Sequence, residues 1–172
     1  MIQYTYSEDY LDMELNELME GLAAACGVKG VMPDAGGAYH LAIDEMNVSF
    51  MSIAESGQLV IWGEVAEPPP EGRELLYQVL MESMFMGRAT GGAAFSIDAG
   101  SGKIFLQRME ALSALDVELF TKMLEKFVNV LEEWRKIVAD FRPAAQEMAR
   151  KAADDAAADR QGGMGMNGFM QV

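Results

Sequence analysis

The sequence predicts an α+β fold in which helices pack against an antiparallel sheet. Three features predict this fold class. Residues 11–22 carry an apolar stripe at helical spacing, residues 38–65 contain alternating strands with short connections, and residues 117–141 repeat apolar side chains at four-three spacing. The predicted order is α-β-β-β-α-β-β-α, in one folded domain of residues 1–142 that is followed by an extension of residues 143–172.

The first helix is expected to begin at Ser7 or Asp9 and to end before Gly27. Serine and aspartate both cap helix N-termini well, and glycine suits the position after the last turn. One face of this helix carries the apolar stripe, which consists of Leu11, Leu15, Leu18 and Leu22. The stripe predicts a helix that is buried on one side.

Three strands are predicted next, at Ala38–Asp44, Val48–Glu55 and Gln58–Val65. Their connections are too short for crossovers, so an antiparallel meander is expected. The third strand has apolar residues on both faces, with Leu59, Ile61 and Val65 on one and Val60 and Trp62 on the other. This strand is therefore expected to offer apolar groups to both sides of the sheet.

The second helix, predicted from Glu71 to about Met86, is apolar around most of its circumference. A helix of this kind is expected to be buried on two sides. Its second side can meet another subunit, or the whole helix can be enclosed within one monomer, and the pattern leaves both arrangements open. We assign the face with Leu75, Val79 and Met86 to the core of the subunit, and the exchange of the two faces stays open.

A hairpin and a long helix complete the predicted domain. Strands Ala93–Asp98 and Lys103–Glu110 flank a glycine-containing turn, and a helix follows from about Asp116 to Phe141. The apolar stripe of this helix predicts packing on the sheet, and its members are Phe120, Leu124, Phe127, Leu131, Trp134, Val138 and Phe141. Pro143 ends or kinks the helix, and the Ala/Gly/Met-rich extension is expected to be partly disordered.

The charge balance is strongly acidic, with 27 acidic against 13 basic residues and a net charge of −14. Such a field repels nucleic acid and anionic membranes, and it favours basic or amphipathic partners. Cys26 is the only cysteine, so no intrachain disulfide is expected. Since neither a secretory leader nor an apolar run of about 20 residues is found, a cytoplasmic protein without membrane insertion is expected.

The sequence has no clear motif for catalysis or metal binding. His40 is the only histidine, and the patterns CxxC, HExxH and GxSxG do not occur. The segment Gly100–Lys103 is only superficially like a phosphate-binding loop, because Ile104 stands where a magnesium-ligating Ser or Thr is required. The sequence therefore predicts a protein that is not an enzyme and that needs no metal or cofactor.

Two stretches carry a family resemblance, LLYQVLMESMFMGRATGGAAFSIDAGSGKIFLQRMEA and LDVELFTKMLEKFVNVLEEWRKIV. Together they resemble the class I chaperones of bacterial type III secretion, the Tir-chaperone-like family. The similar features are the helix that ends before residues 90–93, the strand Phe95–Asp98 with its glycine turn, and the entry to the last helix at Leu115 and Asp116. The element order, small size and acidity also agree.

This resemblance implies a homodimer with the second helix at its two-fold interface. It also implies binding of the N-terminal segment of a secreted effector, which is kept non-globular without ATP because the secretion machinery can drive release. Candidate interface residues lie off the face assigned to the monomer core, and they are Leu76, Leu80, Met81, Met84 and Phe85. Candidate effector-binding residues are Leu11 and Leu18 on the first helix, and Phe50, Ile53, Val60 and Trp62 on the strands.

An enzyme with an unrecognised active site is one alternative, and two further alternatives stay open on the sequence alone. Each of these candidate side chains can instead pack within the core of its own subunit. The same fold can also serve as a non-enzymatic dimeric binding module in another assembly or regulatory pathway, where it would bind a folded surface or a small ligand.

Overall fold

A computed structural model describes residues 8–27, 31–144, 148 and 151. Within these residues the elements follow the predicted order, which confirms the α+β fold class. Short 3₁₀ turns at Phe85–Gly87 and Leu112–Ala114 follow the second helix and the last strand. The helices and strands are α1 (Glu8–Cys26), β1 (Tyr39–Ile43), β2 (Met46–Ile53), β3 (Gln58–Ala66), α2 (Arg73–Ser83), β4 (Ala94–Ile97), β5 (Ile104–Ala111) and α3 (Val117–Ala139).

The five strands form one antiparallel sheet in the order β1-β2-β3-β5-β4. β3 is the central strand, and β1 and β4 are the two edges of the sheet. Successive side chains point to opposite faces, so the register divides the sheet into two surfaces. Phe50 pairs with Ile61 on one surface, and the adjacent pair of Met51 and Val60 lies on the other.

The helices pack on the surface that carries Phe50. The ring of Phe50 meets Phe120 of α3 edge to face, with the ring centroids 5.7 Å apart. A side-chain methyl of Leu131 on α3 lies where a Cβ on Gly63 of β3 would project. α2 contributes buried side chains to the same hydrophobic cluster. The core therefore lies between the helices and one face of the sheet.

α3 begins where the sequence predicts, because Asp116 caps it. The Asp116 Oδ1 atom accepts a hydrogen bond from the backbone N–H of Leu119 at 2.7 Å. Every member of the predicted stripe is buried, from Phe120 to Phe141. The outer side carries exposed i,i+4 ion pairs such as Lys136 with Glu132, as is typical of a helix that packs on one side.

α2 ends earlier than predicted. The α-helix stops at Ser83 rather than near Met86, and Met86 has a φ of 58°. The next residue is a glycine, Gly87, whose N–H donates to the carbonyl of Met84 at 2.9 Å in a tight turn. A left-handed residue cannot continue an α-helix, so the turn, rather than the apolar pattern, sets the helix end.

The chain after α3 is held against the start of α2. Phe141 is buried, and the ring of Pro143 lies where a Cβ on Gly72 would project. Gly72 has a φ of 71°, which glycine adopts without strain. Apart from positions 148 and 151, the extension beyond residue 144 lies outside the described residues. Its predicted disorder and the predicted domain boundary at residue 142 therefore stay predictions.

Candidate functional site

The surface of the sheet opposite the helices carries a group of apolar side chains. Val60 on the central strand pairs with Met51 of β2 on one side and with Met109 of β5 on the other. Strand alternation places further apolar residues on the same surface. The set is named the open face here, and it consists of Met51, Ile53, Val60, Trp62, Phe105 and Met109.

The open face is separate from the core of the subunit. Its central residue, Val60, is buried but does not belong to the main hydrophobic cluster, whereas its chain neighbours Leu59 and Ile61 do. Met109 is 49% exposed. The buried side chains of the helices belong to the other surface. A contiguous apolar patch on the outside of a subunit marks an interaction site.

The structure brings together only part of the predicted strand residues. Ile53, Val60 and Trp62 share the open face, and their binding role stays a prediction. Phe50 is a correction, because it lies on the other surface and is 0% exposed. The physical reason is the two-residue period of a strand: Phe50 and Ile53 are three positions apart and must point to opposite faces.

The two predicted residues of α1 have a different environment. Leu18 is buried together with Leu15 and Leu22 in the hydrophobic core. It also lines a cleft between α1 and the start of α3, so that cleft is where it can meet a partner. The side chain of Leu11 lies outside the described residues. The effector-binding role of both residues stays a prediction.

Two of the predicted interface residues of α2 belong to the core of the subunit instead. Leu76 and Leu80 are buried in the core of their own subunit. Leu75 and Val79, which were assigned to the core, are only partly buried, and Met86 is 72% exposed. The structure therefore corrects the prediction of Leu76 and Leu80 as interface residues, because both side chains have almost no surface to offer a second subunit.

The outer side of α2 retains the other interface candidates. Met81 is 66% exposed and Phe85 is 72% exposed. Met84 is partly buried, and its sulfur accepts a hydrogen bond from the backbone N–H of Phe95 at 3.0 Å. This contact joins the end of α2 to β4. Met81 and Phe85 therefore present an apolar surface next to an edge of the sheet.

A shallow groove of about 180 Å³ extends this surface between α2 and β4. It is lined with Tyr77, Met81, Phe95 and Ile97, among others, and Ile97 is 49% exposed. β4 pairs only with β5 among the described strands. The groove and the free edge of β4 therefore form one continuous surface that can receive an apolar partner.

A polar network joins the loop before β1 to the sheet. His40 Nδ1 lies 2.8 Å from Ser49 Oγ, and His40 Nε2 lies 3.0 Å from Asp34 Oδ2. Asp34 Oδ1 accepts backbone N–H bonds from Gly36 and Ala38. These hydrogen bonds lower the pKa of Asp34, and the one with His40 has a larger effect than those with the two backbone amides. Because Asp34 orders the loop and Ser49 is buried among paired strands, the network is structural rather than a reaction centre. Sequence analysis missed it because His40 and Ser49 come together only when β1 and β2 pair.

Two charged contacts order the hairpin of β4 and β5. The Asp98 carboxylate accepts bonds from the hydroxyl and backbone N–H of Ser101 and from the N–H of Gly100, and these bonds lower its pKa. Lys103 donates to both carboxylate oxygens of Glu64 at 2.9 and 3.0 Å, and this hydrogen bonding raises the pKa of Lys103. The Asp98 contacts fix the turn that the glycine pattern predicts, and the Lys103 contact joins the hairpin to β3.

Two other kinds of site are absent from the part of the chain that the structure describes. No three His, Cys, Asp or Glu side chains there are close enough together to hold a metal ion. No helix among the same residues has the length and apolar character needed to cross a bilayer. The functional surfaces that remain are the open face and the groove beside α2.

An α+β subunit with an open apolar sheet surface and a second apolar groove has the surfaces expected of a protein-binding domain. Residues 17–135 match the model of the Tir chaperone protein (CesT) family. The chain therefore belongs to this family, and the prediction of a secretion chaperone is confirmed. The family and the fold are those of non-enzymatic chaperones.

Comparisons with individual proteins agree with this family. The Chlamydia pneumoniae protein CPj0713/CpB0740 is 28% identical over 122 residues, which is 70% of this chain and 92% of the relative. The crystal structure of the ExsC-ExsE complex contains a chain with a TM-score of 0.64 and 22% identity, covering 74% of this chain and 96% of that one. The HopA1-SchA chaperone-effector complex gives a TM-score of 0.64 at 15% identity, with 76% and 99% coverage. At these identities the two structures establish a common fold.

Proposed function

We propose that this protein is a cytoplasmic homodimer that binds the N-terminal segment of a secreted effector and keeps that segment non-globular. The observation that carries the proposal is the open face, where Met51, Val60 and Met109 adjoin across three strands on the outside of the subunit. A neighbouring structure, the HopA1-SchA complex, is itself a chaperone-effector complex, which supports this type of partner.

The chemistry of the open face suits an extended apolar segment. Such a segment aggregates or folds too early when its side chains are exposed, and an apolar sheet surface can cover them. The strong net charge of −14 keeps the loaded chaperone soluble. This function uses binding energy only, so we expect no catalytic activity, no ATP and no cofactor.

The second part of the proposal concerns the dimer. The outer side of α2 and the free edge of β4 place Met81, Phe85 and Ile97 on one exposed surface. A second copy of the chain would cover these apolar groups, and each fully buried one would contribute roughly 1.5–3 kcal/mol. Met84 lies beside them and ties the helix end to β4. Leu76 and Leu80 support this surface from inside the subunit.

The test is to purify the protein from its native cell and to follow hydrogen exchange in the partner that elutes with it. We expect the N-terminal segment of that partner to exchange quickly where it is not in contact, because it is held without a fold of its own. A partner bound through a folded domain, or turnover of a small molecule, would contradict the proposal.

Two methionines provide a matched pair of positions for testing the open face by mutation. Met109 lies on the open face and is 49% exposed, whereas Met148 is 74% exposed and lies beyond α3. We expect Met109→Gln to weaken partner binding about tenfold and Met148→Gln to leave it nearly unchanged. Equal effects of the two substitutions would exclude the open face as the binding surface.

A further inference from the structure

A second cleft, of about 290 Å³, lies on the helical side of the subunit. It separates α1 from the segment that joins β5 to α3. Its lining combines an apolar wall, formed by Leu18, Leu115 and Val117, with the acidic residues Glu14, Glu17 and Asp116. The lining contains no basic residue. The cleft therefore combines an apolar wall with uncompensated negative charge.

Glu14 presents a carboxylate oxygen that has no partner. Its Oε2 atom is shielded from solvent and accepts no hydrogen bond. Among the described residues, the ion pairs do not include Glu14, Glu17 or Asp116. A shielded acceptor without a donor is unfavourable, and a cationic donor that reaches it forms a strong charge-assisted hydrogen bond. Glu14 thus favours a cationic ligand in the cleft.

The walls of the cleft are fixed at one end. Val117 at the start of α3 lies where a Cβ on Gly21 of α1 would project, so the two helices touch there. Asp116 lines the cleft and uses one carboxylate oxygen to cap α3, which holds this side of the cleft in place. The cleft is therefore a preformed feature of the packing between α1 and α3.

The cleft suits an organic cation better than a metal ion. In the described part of the chain no three acidic side chains converge closely enough to hold a metal. An arginine or lysine side chain combines an apolar stem with a cationic head, and such residues place the stem along apolar surface while the head reaches a charged partner. Leu18 and Val117 offer that surface, and Glu14 lines the same cleft.

We propose that this cleft binds an arginine or lysine side chain of the secreted partner, flanked by apolar residues. The proposal rests on the function proposed above and specifies the chemistry of the segment that is recognised. The stem of the basic residue packs on the apolar wall, and its head donates to Glu14 Oε2. The cleft then selects partners that carry a basic residue at one position of an otherwise apolar segment.

The cleft and the open face are close enough to serve one segment. Ala111 ends β5 opposite Gln58, on the same strand face as Met109. The next residue, Leu112, lines the cleft, and its N–H donates to the carbonyl of Gly57 at 3.1 Å. An extended segment that lies on the open face needs only to pass this end of the sheet to place a side chain in the cleft.

The test uses full-length, isotope-labelled protein and two blocked peptides, Val-Leu-Arg-Leu-Val and its isosteric analogue with citrulline in place of arginine. We expect the arginine peptide to shift the amide resonances of Glu14, Glu17 and Val117. At low ionic strength it should bind at least about tenfold more tightly than the citrulline peptide. Equal affinities would overturn the proposal, and this comparison needs no variant.

A matched pair of double variants tests the residues themselves. Glu14→Gln with Glu17→Gln should weaken the arginine peptide about tenfold, whereas Glu125→Gln with Glu133→Gln, which removes the same charge from exposed positions of α3, should weaken it less than about twofold. Equal losses of affinity in the two double variants would show that only the overall charge of the protein matters. That result would overturn the proposal that the cleft binds the basic side chain.

The two proposals can fail independently. If the natural partner binds and Met109→Gln weakens it, but the peptide never shifts the cleft resonances, the proposed function stands and the cleft proposal is wrong. If the peptide binds the cleft as described but open-face substitutions leave the partner unaffected, the cleft stands as a basic-residue site. The assignment of the open face is then wrong.

Discussion

The indole N–H of Trp134 on α3 donates a 2.9 Å hydrogen bond to the carbonyl of Ala89, in the loop that follows α2. The same indole meets the ring of Phe95 on β4 edge to face, with the centroids 5.0 Å apart. One side chain of the last helix thereby holds both the end of the α2 region and the edge strand. These are the two elements that form the proposed dimer surface.

Trp134→Phe should therefore lower the free energy of unfolding by about 1–3 kcal/mol, because it removes the donor to Ala89 and part of the buried ring. Chemical denaturation measures this change. Trp62→Phe is the matched control on the open face, and it should change stability by less than about 0.5 kcal/mol. Equal effects would contradict the role assigned to Trp134.

Gly63→Ala should destabilise the subunit by about 1–3 kcal/mol, because the new Cβ would collide with the side chain of Leu131 and push α3 away from the sheet. Gly100→Ala is the control, since a Cβ there makes only ordinary contacts with Asp98. Denaturant midpoints of the two variants give the comparison. A stable Gly63→Ala protein would mean that α3 is less closely packed than described.

Met81→Asp and Phe85→Asp should convert the proposed dimer to a folded monomer, since both residues are exposed in the single subunit and a charge there opposes burial. Light scattering gives the mass, and circular dichroism gives the fold. Met32→Asp, at a residue 76% exposed before the opposite edge strand, is the control and should leave the mass unchanged. Leu80→Asp should unfold the subunit instead, because Leu80 belongs to its core.

Asp98 predicts a specific dependence of stability on pH. Its hydrogen bonds to Ser101 and Gly100 lower its pKa in the folded state. The ionised carboxylate therefore stabilises the folded protein, and this contribution is fully present above the pKa of the unfolded state, about 3.9. The contribution is lost as the pH falls through the pKa of the folded state. Asp98→Asn should be less stable than the natural protein near neutral pH, and the difference should shrink in acid. A difference that is constant with pH would rule out this contribution. Thermal unfolding from neutral pH to about pH 2 tests it.

The sequence correctly predicts the helices and strands whose apolar pattern has only one structural interpretation. α3 is the clearest case, because Asp116 is a strong cap and the stripe from Phe120 to Phe141 follows one face. The strands are found with their alternation, and β3 has apolar groups on both surfaces as expected. The open face was partly foreseen through Ile53, Val60 and Trp62.

The misassigned residues lie where the pattern itself is symmetric. α2 is apolar on both faces, so only its packing shows that Leu80 is inside and Met81 outside. Phe50 was placed with Ile53, although the register sends them to opposite surfaces. The cleft with Glu14 joins residues about a hundred positions apart, and no local spacing indicates such a site. In each of these cases the position of the residue is determined by tertiary contacts.

The most direct measurement of the central claim is photo-crosslinking from position 62, with a photoreactive phenylalanine in place of Trp62, in the complex purified from the native cell. We expect crosslinks to the N-terminal segment of the secreted partner, and none from the same probe at position 133 on the outer side of α3. Partner crosslinks that arise from position 133 but not from position 62 would contradict the account.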